Sequence, residues 1–111
     1  MKTIFEKIID GQLPSEKVFE NERIVAIKDI APIAPVHILI ISKKVIPSIQ
    51  EMKKEDFYLL GEMVSIAQDL AKEFNIEKGY RLLTNNGTSS GQTIFHLHFH
   101  LIGGRPLGPM G

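Results

Sequence analysis

The chain has 111 residues and a mass of 12.5 kDa, 43% of it hydrophobic, which suffices for one modest core and leaves no room for a second domain. Thirteen basic and thirteen acidic side chains cancel, so no field of one sign selects a nucleic acid or an anionic membrane, and neither is expected as a partner. With no cysteine the chain has neither disulfides nor thiolate metal sites; this suits a reducing compartment, and any zinc would have to be held by histidine and carboxylate.

Residues 1–111 read as a single domain. At its start, Glu6 and Lys7 interrupt the apolar stretch that a secretory signal needs. The longest apolar runs, such as Ile38 to Ile41, fall far short of the ~20 residues that span a bilayer. A soluble, cytoplasmic protein is expected. Thr3 followed three residues later by Glu6 is a capping-box pattern, and Ile4, Phe5, Ile8 and Ile9 supply a helical apolar stripe that Gly11 ends. Lys17 to Glu20 and Arg23 to Asp29 are β-rich, with Asn21 and Glu22 as the turn between them, so two antiparallel strands are predicted. Pro32 and Pro35 then impose a loop. Val36 to Ile41 is apolar on both faces apart from His37, the pattern of an interior strand.

From Lys54 to Phe74 the apolar residues Phe57, Leu60, Met63, Val64, Ala67, Leu70, Ala71 and Phe74 recur at helical spacing, with Asn75 and Gly79 as stop signals. Tyr80 to Thr84 and Gln92 to Ile102 complete the strands, joined by the polar run Asn85-Asn86-Gly87-Thr88-Ser89-Ser90-Gly91. The predicted architecture is α+β, a five-stranded antiparallel sheet with one short and one long helix.

In an extended strand, side chains alternate between faces. His96, His98 and His100 therefore project to one side, about 6.5 to 7 Å apart along the strand, while Leu97, Phe99 and Leu101 pack on the other. Two chemistries can use such a row. A His-x-His pair can supply two zinc ligands, although the flanking residues offer no acid for a third ligand or a supporting carboxylate. Alternatively a neutral imidazole can attack phosphorus and split one difficult displacement into two easier ones. Nucleophilic attack needs a phosphate cradle, for which the small donors between Asn85 and Thr93 are the candidate.

The run Ser90-Gly91-Gln92-Thr93-Ile94-Phe95-His96-Leu97-His98-Phe99-His100-Leu101-Ile102-Gly103-Gly104-Arg105 resembles the signature of the histidine-triad nucleotide-binding proteins. The likeness extends to Ile4–Ile9 with Leu13-Pro14, to Lys28-Asp29-Ile30-Ala31-Pro32, and to Ala34 through Ile41. The Gly103-Gly104-Arg105 ending and the short length point to the Hint branch of that family. The resemblance implies that His98 is the nucleophile on the α-phosphate of a purine nucleotide, with a nucleotidyl-histidine intermediate resolved by water and no cofactor or metal required. It further implies that His98 bonds the backbone carbonyl of His96, that His100 contacts phosphate oxygens, and that His37 supports the row through His96. Asp29 would accept from the ribose hydroxyls with Ile30 against the base. Asn85, Gly91, Gln92 and Thr93, together with Phe99 beside the two catalytic histidines, would contact the nucleotide. Phe5, Ile8, Leu13, Ile27 and Leu39 would line the base pocket.

The implied reaction is hydrolysis of purine nucleoside 5′-phosphoramidates such as adenosine 5′-monophosphoramidate or AMP-lysine. Cleavage of dinucleoside polyphosphates, as in the Fhit branch, and a purely nucleotide-binding or scaffold role are the alternatives. Thr93 stands where many Hint proteins have Ser, and the end of the chain lacks the aromatic residue of some relatives. The resemblance also implies a homodimer whose long helix and neighbouring strand extend the sheet to ten strands across a two-fold axis.

Overall fold

The structure is a computed structural model, and it describes residues 1–110. In chain order it comprises α1 (Ile4–Ile9), β1 (Lys17–Glu20), β2 (Ile24–Lys28), β3 (Val36–Ser42), α2 (Tyr58–Glu73), β4 (Tyr80–Leu83) and β5 (His98–Gly103). Short 3₁₀ turns lie at Ile49–Glu51, Lys54–Asp56 and Thr88–Ser90. The five strands form one antiparallel sheet in the order β1-β2-β3-β5-β4. This is the predicted α+β sheet, and β5 lies within it rather than at an edge.

Both faces of the central strands are covered, which accounts for the two-sided apolar pattern of β3. On one face Ile24, Ala26, Ile38, Ile40 and Leu101 pack with Leu59, Met63, Ile66, Ala67, Leu70 and Ala71 of α2. On the other, Phe5 and Ile8 of α1 pack on Val25, Ile27, Leu39 and Ile41. The capping box of α1 is formed in full, with the Thr3 side chain accepting from Glu6 N and the Glu6 carboxylate accepting from Thr3 N, so two of the helix's otherwise unpaired amides are satisfied locally.

The long helix departs from the expected stripe. Leu59 and Ile66 face the core, while Phe57 and Val64 are exposed. Phe57 is only the N-cap, and it makes no capping hydrogen bond; the Lys54–Asp56 turn leads into the helix instead. Apolar residues occur on more than one face of this helix, so spacing alone admitted two neighbouring stripes, and contact with the sheet selects one. At the other end Asn75 takes φ 60°. With Asn75 N bonded to Lys72 O and Ile76 N to Ala71 O at 2.8 Å, this is a Schellman stop closed by an asparagine in place of glycine.

The last strand is also shorter than expected. It begins at His98 rather than Gln92. Residues 93–97 run outside the ladder, held where Leu97 N donates to Ile46 O at 2.6 Å.

Candidate active site

The alternation holds in three dimensions along β5 and the two residues that lead into it. Leu97 and Leu101 are buried in the α2 core and Phe99 packs against it, whereas His96 and His98 lie under Phe5 on the opposite face. The rings of His98 and His100 are 5.1 Å apart, centroid to centroid. The row is not uniformly open to a cleft: His96 is fully buried, and His98 and His100 are half-buried.

Each ring has fixed partners, and the donor inventory gives the direction of each bond. Ile33 N donates to His37 Nδ1 at 3.2 Å, so that nitrogen carries no proton. His37 is neutral, because burial pushes its pKa below the ordinary value against the pull of Asp29. Its proton therefore sits on Nε2, which donates to His100 Nδ1 at 2.9 Å. His100 in turn keeps its proton on Nε2, the one nitrogen left to meet a ligand. Burial, reinforced by the neighbouring His98 and His37, pushes the pKa of His100 down to about 4.

His98 is arranged in the opposite sense. Its Nδ1 donates to the backbone carbonyl of His96 at 2.6 Å, which leaves a lone pair on Nε2, and burial holds its pKa below the ordinary value. The strand is pinned at the same residue, since Thr84 Oγ1 donates to the His98 carbonyl at 2.7 Å. One face of β5 thus presents an unprotonated nitrogen beside a protonated one, which suits attack on an electrophile by the first and hydrogen bonding to that electrophile's oxygen or leaving group by the second.

His37 reaches the row through His100, not through His96 as expected. The pairing of β3 with β5 sets Leu39 opposite His100, and His37, two residues away on the same face, meets His100 diagonally. The acid that the residues flanking the triad do not provide comes from a distant loop. Asp29 Oδ2 lies 3.5 Å from His37 Nε2, and its Oδ1 accepts from Ala31 N at 2.8 Å. Asp29, His37 and His100 could together face a cation, but the Ile33 amide keeps the proton on His37 Nε2. The ring has no free lone pair there, and the cluster is a hydrogen-bonded chain.

The remaining expected site residues fall into two groups. Ile30 is almost wholly exposed and Asn85 half-buried beside Gly91, while Thr93 is exposed; all three are open to a ligand. Gln92 is not. It is 3% exposed, its amide nitrogen donates to the carbonyls of Pro47 and Ile94, and its oxygen accepts from Gly87 N. The backbone amides of Gly91 and Gln92 bond Thr88 O and Gly87 O. These groups shape the loop and are not available to hold phosphate. Phe99 turns its side chain to the α2 core, away from the face that carries the histidines. Phe5, Ile8, Ile27 and Leu39 are core residues of the α1 face, 7% exposed or less, and Leu13 alone of the expected base pocket is exposed.

Sequence reasoning missed the residues that set the tautomers. Ser42, fully buried at the end of β3, accepts from His96 Nε2 through its carbonyl at 2.5 Å, and the other His96 nitrogen meets the Thr3 hydroxyl at 3.0 Å. A buried serine closing an apolar strand was the available signal. A larger surface hollow lies away from all of this, lined by Asn75–Gly79 and Gly104–Pro106, and it holds no histidine.

The sheet with two covered faces and a row of histidines of fixed tautomer on and just before its inner strand defines a hydrolytic class of site built on imidazole. The chain belongs to the HIT domain family, whose model matches residues 10–107. It is 56% identical over 106 residues to a HIT-like protein of Chlamydia pneumoniae, covering 96% of each chain. Over 110 residues it is 44% identical to the purine nucleoside phosphoramidase of Escherichia coli strain K12, covering 98% of this chain and 92% of that protein. Among solved structures, a HIT family hydrolase from Clostridium thermocellum superposes with a TM-score of 0.93 at 47% identity, covering 97% of this chain and 95% of that one.

Proposed function

We propose that the protein hydrolyses purine nucleoside 5′-phosphoramidates to the nucleoside monophosphate, AMP in the adenosine case, through a covalent nucleotidyl-His98 intermediate. The observation that carries this reading is the divided protonation of the row, with a lone pair on His98 Nε2 and a proton on His100 Nε2. The identity to a purine nucleoside phosphoramidase supports the choice of substrate.

In this reading His98 Nε2 forms a bond to the α-phosphorus as the phosphorus–nitrogen bond breaks. The amine nitrogen accepts a hydrogen bond from His100 Nε2–H, takes a proton from solvent and leaves; a phosphoramidate nitrogen needs that proton to depart at neutral pH. Water then attacks the same phosphorus, returns a proton to solvent, and releases the nucleotide and a neutral His98. Asp29 accepts from the ribose hydroxyls, the exposed Ile30 covers the base, and Asn85 and Thr93 hold the phosphate. The reaction needs no metal or other cofactor, and the chain acts in the cytoplasm.

We further propose a homodimer. Phe57, Tyr58 and Val64 are exposed on or beside α2, and β4 is an edge strand whose four residues are half-exposed; an open edge and an apolar helix flank are the surfaces a second copy would cover.

The decisive experiment incubates the protein with an adenosine phosphoramidate labelled in the nucleotide, quenches in base and maps the label by mass spectrometry. AMP attached at His98 is expected, and His98→Ala should lose both the adduct and turnover by roughly 10⁴-fold or more. A variant that keeps its activity would refute the nucleophile assignment. Faster turnover of a dinucleoside polyphosphate in parallel would refute the choice of leaving group.

A further inference from the structure

We infer that Thr3, the N-cap residue of α1, is a positioning residue for His98 that acts through the ring of His96. The inference rests on the reading of His98 as nucleophile and extends it to a residue 93 positions away from His96 in the chain.

His96 cannot itself touch a substrate, because it is fully buried beneath Phe5, whose ring meets it edge-on at 5.8 Å. What His96 contributes is its backbone carbonyl, the acceptor that fixes His98 Nδ1–H and so leaves the lone pair on Nε2. The position of that carbonyl depends on how the His96 ring is seated, and both ring nitrogens are anchored. Nε2 donates to the Ser42 carbonyl at 2.5 Å, so Nδ1 must accept, and among the described residues its donor is the hydroxyl of Thr3 at 3.0 Å.

The chemistry of Thr3 fits this double role closely. A hydroxyl offers one donor and two acceptor sites. Thr3 accepts from Glu6 N at 3.1 Å and spends its single proton on His96. Asp, Asn and Ser cap helices as well as Thr does, but a carboxylate has no proton to give. A helix of six residues is too short to persist without tertiary contacts, and these contacts run to the catalytic strand. Two residues on from Thr3, Phe5 also packs edge-on against His98 at 4.9 Å. The first turn of α1 therefore seats one histidine by a hydrogen bond and the next by a ring contact. Glu6, a carboxylate whose charge acts on His96, is already engaged with Thr3 N.

The test uses Thr3→Ser, Thr3→Asp and Thr3→Val in the full chain, with two readouts. The first is the ring tautomer of His96 and His98, read from ¹⁵N NMR of the free protein, and it requires no substrate. The second is kcat and KM on an adenosine phosphoramidate. The wild type and Thr3→Ser should hold His96 as the Nε2–H tautomer, with kcat within about threefold of each other. Thr3→Asp should keep the α1 cap and the Phe5–His98 contact, yet draw a proton to His96 Nδ1 and lower kcat about tenfold to a hundredfold, the scale of loss from small misplacements of a reacting group, with KM within about twofold. Thr3→Val, which removes cap and donor together, should disturb the same ring signals.

Unchanged His96 signals and wild-type kcat in Thr3→Asp and Thr3→Val would overturn the inference, as would Thr3→Ser behaving like Thr3→Asp. If the wild type turns over no phosphoramidate, the functional reading fails by itself, and the NMR readout still decides the role of Thr3.

Discussion

As the proposed nucleophile His98 must be neutral, and its surroundings keep it so. Burial is the largest cause of its lowered pKa, opposed by the bond to the His96 carbonyl, and a buried imidazolium beside the other rings would be doubly unfavourable. Protonation removes the lone pair, so the rate falls as pH drops, and the acid limb of kcat/KM is expected below pH 6.5, the ordinary histidine value. A phosphoramidate pH–rate profile with its acid limb at or above 6.5 would contradict this. The alternation of His96, His98 and His100 was legible in the sequence because a strand forces it. The partner of His37 was not. Whether a ring on β3 meets the first or the last triad histidine depends on the register of β3 on β5, and register is fixed by packing across the sheet rather than by either strand's own residues.

At the scale of elements, local signals were reliable and docking was not. The Thr3–Glu6 box is a contact between near neighbours and formed as read. That α1 closes over two histidines depends on tertiary packing, and nothing in six residues encodes it. The polar loop before β5 was read as a cradle from composition, but Gln92 turns inward and ties Gly87 to Pro47, because a buried amide must find partners wherever it lies. The loop carrying Asp29 and Ile30 has its own constraint. Gly104 sits at φ +98°, and a Cβ there would lie 2.9 Å from Pro35 Cβ. Gly104→Ala combines a left-handed backbone with that clash, so it should cost about 1–3 kcal/mol. Urea unfolding measures the loss; a midpoint equal to that of the wild type would show that Pro35 yields freely.

For the whole molecule, the histidines couple stability to pH. All four have folded-state pKa values below the ordinary one, His100 at about 4. The unfolded chain therefore binds more protons than the native one between about pH 6.5 and 4. Stability is full above that window and is lost as pH falls through it. Calorimetry should show Tm several degrees lower at pH 5 than at pH 7, at ~4–8 °C per kcal/mol for a domain of this size; an unchanged Tm would mean that the rings protonate without penalty. The proposed dimer makes a separate demand. Val64→Arg places a charge on the exposed flank of α2, and light scattering should find it at half the wild-type mass with the fold intact.

The sheet order has a consequence for synthesis. The strand that carries His98 is the last of the five to be made, yet it lies between β3 and β4. Until it emerges, β3 has an unpaired inner edge and β4 has no neighbour in the sheet at all. At ~5–20 residues per second on the ribosome, the earlier strands wait for seconds with that seam open. Folding is completed by insertion of β5 into the gap, so the histidine strand and the intact sheet arise in one event, and a nascent chain stopped short of it is exposed to aggregation.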